Sequence, residues 1–114
     1  MSIARGSVVL VAYPNSDLTT YKIRPALVVQ NSRAETGLAQ VVVALITSNL
    51  NRTGKTRVRV DQNAVNSRGM HLLTDSVIVC DVLQTVANRA ILRVLGICAA
   101  MSEVDSALRL TLDL

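Results

Sequence analysis

The sequence predicts a mainly β domain, a small and strongly curved sheet or barrel closed by one C-terminal helix. Short β-branched runs recur along the first hundred residues with turn-forming clusters between them. One stretch at the end has a helical period instead. Half of the 114 residues are apolar, 18% are charged and mean hydropathy is +0.39, so the chain can build a core rather than remain disordered. That length fits a single domain, 1–114, and neither a repeat nor a composition shift marks a linker.

The first strand is Ser7-Val8-Val9-Leu10-Val11-Ala12-Tyr13, preceded by Gly6 and closed by Pro14, which cannot donate to a ladder. Asn15, Ser16, Asp17, Thr19 and Thr20 place a surface loop between Pro14 and Lys22. Ala26-Leu27-Val28-Val29 and Val41-Val42-Val43-Ala44-Leu45-Ile46 are apolar without alternation, as strands buried on both faces are. Arg57-Val58-Arg59-Val60 alternates, with one cationic face. Ser76-Val77-Ile78-Val79-Cys80 is a further buried strand, and Leu92 to Ala100 is apolar around Gly96. Ser102-Glu103-Val104-Asp105 has the pattern of a helix start, and Val104, Ala107, Leu108, Thr111 and Leu112 form one apolar stripe of about three turns.

Twelve basic residues against eight acidic give a net charge of +4, unevenly spread. Residues 1–68 hold nine basic and three acidic groups, whereas 69–114 hold three and five. A concentrated positive field attracts polyanions such as nucleic acid or an acidic protein. Ten of the twelve cations are Arg, whose planar fork grips phosphate through two hydrogen bonds. The only aromatic residues are Tyr13 and Tyr21, which argues against binding that depends on stacking. Cys80 and Cys98 lie in apolar runs and read as buried thiols of a cytoplasmic protein. No segment has the form of a signal peptide or a membrane span.

No metal site is expected, because His71 is the only histidine and zinc needs three or four ligands in register. Beside Leu72 and Leu73, that histidine reads as a packed or surface residue. Gly54-Lys55-Thr56 lacks the earlier glycine of a phosphate-binding loop. The informative segment is Lys22-Ile23-Arg24-Pro25-Ala26-Leu27-Val28-Val29. An Arg fixed by the following Pro at the entrance to a buried strand can hold a phosphate, or pair with a loop carboxylate such as Asp17. Thr47-Ser48-Asn49, at the end of the third strand, reads as a turn or as a second polar element of a site.

Gly6 to Pro14, Asp17, Lys22 to Val29, Ile46-Thr47-Ser48, Ser76-Val77 and Leu95-Gly96 together resemble the MazF/PemK toxins of bacterial toxin–antitoxin modules, in order and over nearly the whole chain. The resemblance implies an SH3-like barrel of antiparallel strands with a C-terminal helix. It implies a cytoplasmic homodimer that cleaves single-stranded RNA at short sequences, needs no metal or other cofactor, and is blocked by an acidic antitoxin. It assigns catalysis to Arg24 and Thr47. Asp17, in the loop just before Arg24, is the candidate general base. Lys22, Ser48, Asn49, Ser76 and Asp81 are the expected RNA-binding residues. Arg24 suits charge on the phosphoryl oxygens, and Thr47 can donate a hydrogen bond to one of them. One departure stands out: where many relatives have an acidic residue followed by Gln, this chain has Asp81-Val82. The alternative is a non-catalytic poison of the CcdB type, or a degenerate module that binds RNA or antitoxin without cutting.

Overall fold

Each expected strand forms, and the turn-forming clusters become connections. The structure, a computed structural model, describes residues 3–15 and 17–114, with Pro14 and Asn66 described by backbone alone. Its strands are β1 (Ser7–Pro14), β2 (Tyr21–Val28), β3 (Gln40–Thr47), β4 (Arg57–Val60), β5 (Ser76–Ala87) and β6 (Ile91–Ile97), followed by the helix α1 (Met101–Leu112). They form one antiparallel sheet in the order β4-β5-β3-β2-β1-β6. The sheet curves without closing, so β4 and β6 are free edges.

Two expected strands are longer than their apolar runs. β2 begins at Tyr21, so the loop before it is shorter than Pro14–Lys22. β1 pairs with it from Pro14↔Tyr21 to Val8↔Leu27, whereas β3 joins only at Ala26. The stretch 21–25 therefore has a strand partner on one side only, which tolerates Pro25 and its missing N–H. β5 continues past Cys80 to Ala87. Its register against β3 jumps from Leu45↔Val79 to Ala44↔Leu83, leaving Cys80, Asp81 and Val82 without partners on β3. Such an insertion bends a strand and strengthens its twist.

Alternate residues feed two cores. Val8, Leu27, Ile46, Met70 and Ile78 lie on one side with Val104, Ala107 and Leu108 of α1. Val9, Val11, Ala26, Val28, Val43, Val86 and Ile91 lie on the other. Burying each Val, Leu or Ile side chain stabilises the fold by roughly 1.5–3 kcal/mol, and burial on both sides explains the unbroken apolar runs. Arg5 ties this core to the helix, donating from Nε to the Val29 carbonyl at 2.9 Å and from Nη2 to Asp105 Oδ1 at 2.7 Å.

Ser102 does not cap the helix. The N-cap is Ala100, which makes no side-chain hydrogen bond to the helix start. Ala100 is buried and Met101 packs against the core, so tertiary packing sets the helix start in place of a cap. The apolar stripe holds at Val104, Ala107 and Leu108, but Leu112 is half exposed beyond the edge of the core.

Candidate active site

A cleft of about 630 Å³ opens where β2, β3 and β6 meet the loop 71–74. β2 contributes Arg24 and Pro25, and β3 contributes Ile46 and Thr47, with Ser48 and Asn49 in the turn that follows. Pairing sets the floor: Leu10 of β1 stands between Pro25 on one side and Arg93 of β6 on the other, and all three line the cleft. The chain from His71 to Thr74 forms the remaining wall, next to Ser76 at the start of β5.

Arg24 is half-buried and makes no hydrogen bond or ion pair with the described residues. Its charge reaches Tyr13, whose phenol is pushed up by burial and pulled partly back by Arg24. The expected alternative, Arg24 paired with Asp17, is not formed. Thr47 Oγ1 accepts the Asn49 N–H at 3.1 Å, which leaves its own hydroxyl hydrogen to donate. Asn49 Oδ1 in turn accepts the Asn51 N–H at 3.1 Å. These two bonds fold the turn so that Thr47, Ser48 and Asn49 share the cleft. Ser76 is buried and donates to the Thr74 carbonyl at 3.0 Å, so it shapes the wall.

Three expected site residues lie elsewhere. Asp17 is exposed in the β1–β2 loop, where Oδ1 accepts the N–H groups of Thr19 and Thr20 at 2.9 and 3.1 Å and the Thr20 hydroxyl at 3.1 Å. Those bonds, led by the Thr19 N–H, hold its carboxyl below the usual carboxylate range, the wrong direction for a general base. Lys22 is exposed opposite Tyr13 and does not line the cleft. Asp81 is held by Arg57 through two hydrogen bonds of 2.9 Å, so its carboxylate is already engaged.

Two further titratable or charged side chains line the cleft, and no local motif marks them. Arg93 is exposed, with no hydrogen bond or ion pair to the described residues. Its signal was a lone charge inside the apolar run Leu92-Arg93-Val94-Leu95. His71 also lines the cleft, with its backbone at φ 56°, in the left-handed region. Among the described residues, the cleft is lined by Arg24, Arg93 and His71 but by no carboxylate. Among the described residues, no group of three or more His, Cys, Asp or Glu comes together, and no helix is long and apolar enough to cross a membrane.

The fold is that of a small, mainly β domain with a single C-terminal helix. The family described as PemK-like, MazF-like toxin of type II toxin-antitoxin system matches residues 4–112. A mycobacterial endoribonuclease solved in complex with its cognate antitoxin is 25% identical, with a TM-score of 0.75 over 99% of this chain and 97% of that one. The Mycobacterium tuberculosis toxin MazF-mt6 is 29% identical, with a TM-score of 0.67 over 93% and 97%. MazF from Deinococcus radiodurans, 18% identical, shares the fold with a TM-score of 0.73 over 100% and 99%. No curated protein sequence matches the chain. This chain belongs to the PemK/MazF toxin family of type II toxin–antitoxin systems.

Proposed function

We propose that the chain is an endoribonuclease that cuts single-stranded RNA at short sequences, without a metal ion, by attack of a ribose 2′-hydroxyl on the adjacent phosphate. The observation that carries this reading is the meeting of an unpaired Arg24 with a donor-ready Thr47 in one cleft. Negative charge grows on the phosphoryl oxygens as the 2′-oxygen attacks, and a fixed guanidinium stabilises that charge more than it stabilises the ground state. Thr47 donates to a nonbridging oxygen, while Ser48 and Asn49 offer polar contacts along the strand. A cleft lined by two arginines and no carboxylate suits an anion and repels a divalent cation. The solved relatives described as endoribonucleases support RNA cleavage.

The partners follow from the surface. Leu92, Val94 and Ile97 are exposed along the free edge strand β6, and Leu110, Leu112 and Leu114 are exposed at the helix end. A second copy of the chain covers this apolar surface in a homodimer. An acidic antitoxin covers the cationic cleft, in keeping with the antitoxin-bound relative. Lys22, at the rim of the β1–β2 hairpin, draws RNA in without contacting the scissile phosphate.

Incubating the purified protein with a mixed pool of single-stranded RNA in excess EDTA and mapping the new 5′ ends tests this reading. Cuts clustered at a short sequence support it. An RNA pool left intact, or cuts that require a divalent metal, overturns it.

A further inference from the structure

We propose that His71 is the general base of the cleft, taking the proton of the attacking 2′-hydroxyl; the proposal rests on the ribonuclease reading above. Among the described residues, the ionisable groups that line the cleft are Arg24, Arg93 and His71. An arginine does not give up its proton in a protein, so neither guanidinium can accept one. Histidine is the side chain that exchanges a proton near neutral pH. Asp17, the carboxylate the sequence suggested, lies outside the cleft with its oxygens engaged by Thr19 and Thr20.

The backbone of His71 is held in the left-handed region. A non-glycine residue at φ 56° is uncommon, and such a conformation persists where the surroundings over-determine it. Here the residues before it do so. The Gly69 carbonyl accepts the Ile97 N–H at 3.1 Å, docking the loop on β6, and Met70 is fully buried with its N–H bonded to the Ser67 carbonyl at 3.1 Å. On β6, Gly96 makes room for both. A Cβ built there would overlap the Gly69 carbonyl oxygen and lie 2.9 Å from His71 Cδ2. Thus the edge strand is cleared of a side chain where the imidazole rests. His71, Leu72 and Thr74 also line an adjoining hollow of about 290 Å³, which places the exposed ring at the junction of two openings.

The step balances with these groups. The 2′-hydroxyl proton passes to an imidazole nitrogen as the 2′-oxygen bonds to phosphorus. The bond from phosphorus to the 5′-oxygen then breaks, and that oxygen takes its proton from solvent water. Products are a 2′,3′-cyclic phosphate and a 5′-hydroxyl, and the imidazolium returns its proton to water. In-line attack sets the two oxygens on opposite sides of phosphorus, so one imidazole serves the entering side alone. The charged groups facing it are Arg24 from β2, Arg93 from β6 and Arg68 across the adjoining hollow.

The test measures cleavage of one long single-stranded transcript, in EDTA and across pH, by the wild type, Arg24→Ala, His71→Asn and His71→Gly. Asn and Gly both accept a positive φ, so the loop can keep its path, and circular dichroism with a melting curve checks that each variant folds. The expected result is that kcat falls about 100-fold or more in His71→Asn while KM moves by less than about threefold. The acid limb of the wild-type pH profile disappears, and added imidazole restores part of the activity of His71→Gly. A purely structural role for the ring would not respond to imidazole. The proposal is overturned if His71→Asn, or His71→Gly without imidazole, keeps the wild-type kcat and acid limb. A transcript left intact by the wild type overturns the ribonuclease reading and this proposal together. Cutting that depends on Arg24 but not on His71 overturns this proposal alone.

Discussion

Asp81 and Arg57 are joined across the β4–β5 pair by two hydrogen bonds of 2.9 Å, Nε to Oδ1 and Nη2 to Oδ2. Arg57 also donates to the Thr53 carbonyl at 2.8 Å, so one guanidinium anchors the β3–β4 connection to the bend of β5. With side chains 27% and 33% exposed, the pair stabilises the fold by about 1 kcal/mol, the upper end for a solvent-screened bridge. Arg57→Ala is expected to lower stability by about that amount and leave RNA cleavage within about threefold of wild type. Urea denaturation and the cleavage rate check the two halves. A large loss of cleavage in a folded variant would return Asp81 or Arg57 to the site.

Gly96 is a packing requirement, since any Cβ there meets the Gly69 carbonyl and the His71 ring. Gly96→Ala must push the loop 69–74 away from β6. Overpacking of this kind typically costs about 1–3 kcal/mol. A lower melting temperature and reduced cleavage are expected together. An unchanged melting temperature would mean that the loop gives way at no cost.

Asp17 serves the β1–β2 turn. Its carboxyl is held low by backbone and hydroxyl donors, so folding favours the ionised form. The sign follows by linkage: this stabilisation is present above the unfolded pKa and is lost as pH falls through the folded value. Asp17→Asn is expected to cleave RNA at the wild-type rate. It should be less stable than wild type near neutral pH, with the difference shrinking as pH falls through the folded value. Loss of cleavage at full stability would restore Asp17 to the chemistry.

Burial pushes the Cys80 thiol up to about 11, and Cys98 is raised by the same cause. The thiolate is the reactive form, so both remain inert thiols in the folded protein. Iodoacetamide near pH 8 is expected to label neither cysteine in native protein and both after unfolding, read by mass. Rapid labelling of native protein would contradict the buried placement.

Much of the fold was legible because turn-forming clusters bound the apolar runs. Val8-Val9 and Ala26-Leu27 send neighbouring side chains to opposite cores, and that two-sided burial was readable as a run without alternation. The full length of β5 was not readable, because Asp81 interrupts its apolar run at the bend where Arg57 receives the carboxylate. The helix start misled for a similar reason: Ser102 fits a capping pattern, but burial of Ala100 decides where the turn begins.

Within the site, Arg24 and Thr47 were legible through the rigid Arg-Pro step and the polar end of β3. Arg93 and His71 come from segments far along the chain and are brought there by the β1–β6 register and the docking of Gly69 on Ile97. Such long-range pairings leave no local pattern in the sequence. Asp17, near Arg24 in sequence, is drawn instead into its own turn by Thr19 and Thr20.

Stabilisation of the transition state of RNA cleavage by Arg24 is measured by comparing single-turnover cleavage of a single-stranded RNA by wild type and Arg24→Ala in EDTA, with folding verified by circular dichroism. The expected result is a loss of about 100- to 1,000-fold or more in the rate of the chemical step. Cleavage by folded Arg24→Ala at the wild-type rate would exclude Arg24 from the chemistry.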